Sequence, residues 1–305
     1  MKTKWNLTPL FIIGIIFWCS PDAMAKVSVV TTTEDLASIT RSVGGDFVEV
    51  SAIAKGTQDP HYIEAKPSYC VKMNRADLVL SIGLDLESAW LPLLLRMSRK
   101  PDLMPGNRGY LEVSEAITPI EVGGKTDRSE GDVHPYGNPH FMGDPERALA
   151  VAERISKKLA EIDQINGGKY QENYKAFEKG MRAKIAAWKS KLAKHSGMNL
   201  VGYHKTFNYF FNYFNLNPVG YVEPKPGIPP TAQHIVRLVD ITKTKKAKLI
   251  VMENFFDPKP VQTLSQQTGV PFSILPPNVG GDEKSPTYEA WMDTLVAAFE
   301  GKAVL

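Results

Sequence analysis

Short apolar runs that alternate with helix-periodic segments constrain this chain more than any other feature. Residues 27–33, 48–54 and 78–83 each read as a strand, and each is followed by a stretch with helical periodicity. This is the βαβ pattern, which predicts a mostly parallel sheet. A second series follows at residues 199–203, 219–223, 249–253 and 272–275. The expected fold class is therefore α/β, with two lobes that each hold a mostly parallel sheet flanked by helices.

Between the two series lies a joining element. Asp144-Pro145-Glu146 combines an N-cap, a proline at the first helical position and an acidic first turn, and predicts a helix to about residue 162 that Gly167-Gly168 brings to an end. From residue 169 to 195, Tyr170, Tyr174, Phe177, Met181, Ile185, Trp188 and Leu192 recur at intervals of three and four. They form one apolar stripe over about seven turns. Such a helix can act as one long rigid spine between the lobes, although an ordinary surface helix would carry the same stripe. The expected organisation is a leader over 1–25, a first lobe over 26–166, the connecting helix over 167–197 and a second lobe over 198–305.

The leader is read from Lys2 and Lys4 ahead of an apolar run from Leu10 to Cys19, followed by the small-x-small sequence Ala23-Met24-Ala25. That run is far shorter than the roughly 20 residues a membrane-spanning helix needs. Export with cleavage after Ala25 and a soluble mature chain are expected. Phe17 and Trp18 precede Cys19 where lipoprotein signals usually place a small residue, so lipid anchoring at Cys19 is not expected. Cys70 is the one cysteine left, which excludes an internal disulfide and a cysteine-based metal site. A formal charge of only +3 on 305 residues argues against a nucleic-acid partner.

Chemistry-bearing residues are sparse. Of six histidines, His195 sits in the last turn of the long helix, where a cation complements the macrodipole, and His234 opens another helix without an evident partner. His61 follows Asp59-Pro60 in a loop after a strand, at the carboxyl edge where open α/β sheets bind ligands. His140 follows Asn138-Pro139 just ahead of the Asp144 cap. His204 ends a strand before a helix marked by Phe207, Phe210, Phe211 and Phe214, and a helix N-terminus would hold its imidazole neutral and available as a ligand. None of the three is close to another in sequence, so each read alone is better explained as a structural residue. Tyr203, Tyr209, Phe210, Phe211, Tyr213 and Phe214 form an aromatic cluster beside His204, whose plainest role is core packing.

Taken in order, these motifs resemble a family. Asp59-Pro60-His61 with Pro67, then Asn74, Ala76-Asp77-Leu78-Val79 and Gly83, are similar to the first lobe of the cluster A-I metal-binding lipoproteins and periplasmic zinc or manganese binding proteins. Asn138-Pro139-His140 with Asp144-Pro145 resembles that family's second ligand motif, and His204 with Phe207, Tyr209 and Phe210 its third. Thr268-Gly269-Val270 and Thr287-Tyr288 resemble its C-terminal region. The resemblance implies a periplasmic solute-binding protein that captures a divalent transition metal between the lobes and delivers it to an ABC-type permease at the inner membrane. It implies His61, His140 and His204 as metal ligands, and zinc (Zn2+) rather than manganese (Mn2+), because manganese-type members often carry glutamate at the third position. A monomer is expected.

The chain departs from the family at the fourth ligand, where Leu275-Pro276-Pro277 replaces a run that usually holds an aspartate. Glu253 at a strand end and Asp282 after Gly280-Gly281 are the candidates for that place, with a water molecule as the third option. Asp59 is the candidate acceptor for an imidazole N–H. His134 lies in a Gly/Ser/Asp/Pro-rich loop where zinc-type members often insert histidines, so it is either a shuttling ligand or a solvated loop residue. Two other functions fit part of the pattern: a surface adhesin or metal-chelate-binding protein on the same fold, and a zinc hydrolase. Against the hydrolase, the chain has no H-E-x-x-H pair and no G-x-S-x-G elbow.

Overall fold

The computed structural model describes residues 2, 25–123, 131 and 134–301. The expected leader, Cys19 included, thus lies outside the described residues except for Lys2 and Ala25. The first lobe contains β1 (Val27–Thr31), α1 (Glu34–Gly44), β2 (Val48–Ala52), α2 (Pro67–Arg75), β3 (Leu78–Ser81), α3 (Leu91–Ser98) and β4 (Tyr110–Glu112). After α4 (Pro145–Ile162) and α5 (Gly167–Leu192) come β5 (Asn199–Gly202), α6 (Asn208–Tyr213), β6 (Asn217–Tyr221), α7 (Ala232–Thr244), β7 (Leu249–Glu253), α8 (Lys259–Thr268), β8 (Phe272–Leu275) and α9 (Tyr288–Phe299).

The strands form two four-stranded sheets of the same design, ordered β2-β1-β3-β4 and β6-β5-β7-β8, with every pairing parallel. All residues of β3 and β7 are buried, as strands covered on both faces by helices require. In each sheet the chain first builds an inner strand, adds one neighbour, then crosses to the other side. That reversal opens a crevice at the carboxyl ends of the strands. The strand β4 was not expected from the sequence, because three residues at a sheet edge are too few to show a period.

The helix α4 follows its capping signals: Asp144 Oδ1 accepts from the backbone N–H groups of Glu146 and Arg147 at 2.9 and 3.3 Å. The reading of Gly167-Gly168 as a break needs correction, since both glycines lie in the first turn of α5. The break falls earlier, at Asp163, whose carboxylate accepts from Asn166 and from the Tyr170 hydroxyl and so ties the end of α4 to the start of α5.

At 26 residues, α5 is about 39 Å long. Its buried stripe is Tyr170, Phe177, Met181, Ile185, Trp188 and Leu192, with Tyr174 half-buried. This face packs on α1, α4 and α9. The Trp188 indole donates to Asp293 Oδ1 of α9 at 2.7 Å, and Asn173 Nδ2 donates to the Val43 carbonyl at the end of α1 at 3.0 Å. One apolar cluster therefore runs from Val29, Leu36 and Ile39 through Trp188 to Phe210, Val251 and Leu295, so the two lobes share a core.

Hydrogen bonds reinforce the junction. The Tyr288 hydroxyl donates to the Met142 carbonyl at 2.7 Å, and the Tyr288 N–H to Ser38 Oγ at 2.9 Å. Asp35 accepts from the Val279 N–H at 2.7 Å. Burial pushes the Asp35 carboxyl up to about 7. Among the described residues no helix is long and apolar enough to cross a membrane. Truncation of Trp188 to alanine removes a fully buried ring and its hydrogen bond at the centre of this junction, and should cost about 3–5 kcal/mol of stability in urea unfolding.

Candidate metal centre

Two histidines are set by the same local device. In Asp59-Pro60-His61 the His61 N–H donates to Asp59 Oδ1 at 3.0 Å, and in Asn138-Pro139-His140 the His140 N–H donates to Asn138 Oδ1 at 2.9 Å. The proline fixes one backbone angle and the Asx side chain closes the turn, so each imidazole leaves its loop in a defined direction. Larger elements then clamp both turns. The Trp90 indole donates to the Pro60 carbonyl, the Tyr209 hydroxyl to the Asn138 carbonyl, and Asn138 Nδ2 to the Lys205 carbonyl in the second lobe.

The third histidine comes from the other sheet. His204 lies two residues beyond β5, and the backbone bonds from Val222 to Gly202 and from Glu223 to Tyr203 extend the β5–β6 pairing past the strand ends. That register sets Glu223 beside His204, where Glu223 Oε2 accepts from His204 Nδ1 at 2.7 Å and also from the Gly227 N–H.

The three imidazoles converge. One ring nitrogen from each of His61, His140 and His204 lies within 4.8 Å of the other two, the one such group of metal-ligating side chains among the described residues. The ring centroids are 5.3, 5.8 and 5.4 Å apart. The group opens into a cleft of about 560 Å³ lined by Tyr62, Tyr203, Phe255, Phe256 and the turn holding Pro229 and Pro230.

Protonation differs from ring to ring. His61 Nδ1 is 2.6 Å from Asp59 Oδ1. Burial is the largest influence on Asp59 and opposes its ionisation, but this bond, the His61 N–H and the charges of His61 and His204 together outweigh it and hold the carboxyl below its ordinary value. Burial, assisted by the neighbouring His61, His204 and His134, drives the His140 pKa far down, and His140 Nε2 is buried without a hydrogen-bond partner among the described residues. A neutral imidazole with an unused lone pair is a metal ligand in waiting. For His204, burial alone would lower the pKa, yet the Glu223 hydrogen bond and the charges of Glu253, Glu223 and Asp59 prevail and raise it. The expectation that a helix N-terminus keeps His204 neutral is thus corrected: α6 begins only at Asn208, and the carboxylate at 2.7 Å dominates.

The other candidates fall in different places. Asp59 holds His61, as expected of an N–H acceptor. His134 Nε2 lies 3.1 Å from His61 Nε2, and His134 Nδ1 lies 3.0 Å from the Leu84 carbonyl oxygen, so this loop histidine reaches the centre. Glu253 and Asp282 belong neither to the three-imidazole group nor to the cleft lining. Asp282 caps the Lys284 N–H in its own turn at 3.0 Å. Glu253 is fully buried, and burial lifts its carboxyl to about 7 against the opposing pull of His204 and Thr206. His234 Nε2 is engaged 2.9 Å from the Tyr221 carbonyl, and His195 closes a 3-10 turn after α5. Tyr209, Phe210, Phe211 and Phe214 are core residues, whereas Tyr203 stacks on Phe256 at 4.3 Å in the cleft wall. Glu223 was missed as a partner of His204, although its position at the end of a strand candidate was a usable signal.

Two outcomes follow from these environments. In chelator-stripped protein, Glu223→Gln should lower the His204 pKa below that of the wild type in an NMR titration and weaken metal binding about 10–100-fold. A buried acid with a raised pKa keeps its proton while the unfolded chain loses it, so stability falls as pH rises from about 4.5 to 7. Glu253→Gln removes that loss: relative to the wild type, its stability should improve by about 1 kcal/mol per pH unit across this window and level off above it.

Comparison with known proteins places the chain among metal-transport components. The family described as ZnuA, zinc-uptake complex component A, periplasmic, matches residues 29–301. A metal ABC transporter substrate-binding lipoprotein of Streptococcus cristatus is 29% identical over 253 residues, 81% of this chain and 78% of that protein. A manganese ABC transporter substrate-binding lipoprotein of Streptococcus pneumoniae serotype 4 is 27% identical over 283 residues, 89% of this chain and 88% of the relative. The crystal structure of ZnuA superposes with a TM-score of 0.76 at 22% identity, over 90% of this chain and 98% of that one. The Cd-bound periplasmic metal binding protein of Candidatus Liberibacter asiaticus gives 0.74 at 22% identity, with 90% and 98% covered. At these identities the structural likeness is one of fold.

Proposed function

The chain belongs to the ZnuA family of periplasmic zinc-uptake components, and from that premise we propose that its cargo is zinc, held by His61, His140 and His204. The broader function follows from membership: this is the extracytoplasmic binding component of an ABC metal transporter, which captures a divalent metal and passes it to a membrane permease, and it is not an enzyme. Relatives are named for manganese as well as for zinc-uptake complexes, so the metal must be argued from the donor atoms.

The convergence of three imidazole nitrogens within 4.8 Å carries the proposal. Imidazole suits zinc and its neighbours, whereas manganese favours carboxylate, carbonyl and water oxygens. The low pKa of His140 keeps one donor deprotonated through the physiological range, and Asp59 and Glu223 orient the other two. As the exported form we propose a monomer cleaved after Ala25 and without lipid at Cys19. The aromatic cleft of about 560 Å³ is larger than an ion needs, and it favours a metal chelate as the second reading.

A competition titration of the chelator-stripped mature protein separates these. One equivalent of bare zinc should bind far more tightly than manganese, and alanine at His61, His140 or His204 should weaken it by orders of magnitude. Binding that requires a small organic carrier, or that survives His140→Ala, would favour the chelate reading.

A further inference from the structure

Resting on the reading of the three histidines as zinc ligands, we propose that His134 supplies the fourth nitrogen of the site, so that the transported ion is bound by four imidazoles and no carboxylate. Zinc–nitrogen bonds of about 2.0–2.1 Å put tetrahedral ligand atoms roughly 3.3 Å apart. His134 Nε2 and His61 Nε2 already stand 3.1 Å apart. His61 Nδ1 faces the Asp59 carboxylate and His134 Nδ1 faces the Leu84 carbonyl, and both partners can only accept. Each ring therefore carries its proton on Nδ1 and aims an Nε2 lone pair at the other. A separation of 3.1 Å between two such nitrogens is one that a metal ion or a shared proton between them would satisfy.

The same arrangement recurs at His204, whose Nδ1 is held by Glu223. His61, His134 and His204 thus each have Nδ1 fixed by an oxygen acceptor, the usual mark of a metal-bound imidazole, and each offers Nε2. The acceptor for His134 is itself unusual: Leu84 and Asp85 have φ of +54° and +66°, a conformation rare outside glycine that tends to gather at functional turns. His134 also sits at the stapled neck of its loop. The Gly123 N–H donates to the Pro135 carbonyl, and the Asn138 N–H to the Ile120 carbonyl.

His134 meets the three-imidazole group through His61, and in a four-nitrogen shell its ring would have to turn toward the other two. The contact of His134 Nε2 with His61 Nε2 is what places it to complete the shell. A neutral set of four nitrogens favours zinc and disfavours manganese, so His134 also sets specificity.

The test combines zinc competition titration, cobalt substitution and zinc X-ray absorption on the mature protein. His134→Ala should weaken zinc at least about 10-fold, narrow the preference for zinc over manganese and alter the cobalt d–d bands, and zinc-loaded wild type should show four imidazoles. Unchanged affinity and cobalt bands in His134→Ala, with His140→Ala still abolishing binding, would overturn the assignment and leave the three-histidine site standing. Three imidazoles and an oxygen in the wild type would do the same without relying on a variant. If the wild type binds no zinc at all, the underlying reading fails and this one with it.

Discussion

Burial of one apolar layer along α1, α5 and α9 is the constraint on which the arrangement of this protein depends. Neither sheet carries all three of the converging imidazoles: His61 and His140 precede α4, and His204 follows β5. Their nitrogens can converge only if the two sheets hold a fixed separation and angle, and the shared core from Val29 through Trp188 to Leu295 supplies both. The polar ties from Tyr288 and Asp35 lie over the same junction and add direction to what apolar packing provides in bulk. Side chains far from the imidazoles thus determine whether the three can meet.

Within the cleft, neighbouring groups do most of the chemical tuning. Asp59, Glu223 and the Leu84 carbonyl each fix which ring nitrogen of a histidine carries the proton, while His140 is instead held neutral by burial among like rings. The two carboxylates lend negative charge to the imidazoles that they hold. A divalent cation would thus meet neutral donors at short range and anionic charge one shell farther out. That combination attracts the ion strongly yet selects it by nitrogen chemistry.

Much of this was legible in the sequence because it depends on local signals. Strand and helix alternation, the Asp144 cap and the α5 stripe follow from periodicity and from capping chemistry that acts over a few residues. The two Asx-Pro-His turns were visible for the same reason. What escaped notice was set by distant partners. Glu223 acts on His204 only because β6 lies beside β5 in a register no single strand encodes, and that contact reverses the direction of the His204 pKa expected from the helix start alone. The surroundings of Glu253 and Asp282 were hidden for a similar reason. A strand end or a glycine turn indicates the edge of the sheet, but not that Glu253 is fully buried there or that Asp282 caps its own turn.

The shared core has a further consequence for delivery. Clamshell binding proteins exchange cargo by swinging two independent halves about a flexible strap, whereas halves fused through a common interior would have to tear apolar surface from itself to open that way. Rearrangement of loops and side chains at the cleft would leave that core intact. Such motions are fast and small beside domain hinging. A membrane partner that acted on the rim alone would leave the interior whole, as one loosens a setting rather than breaks a ring.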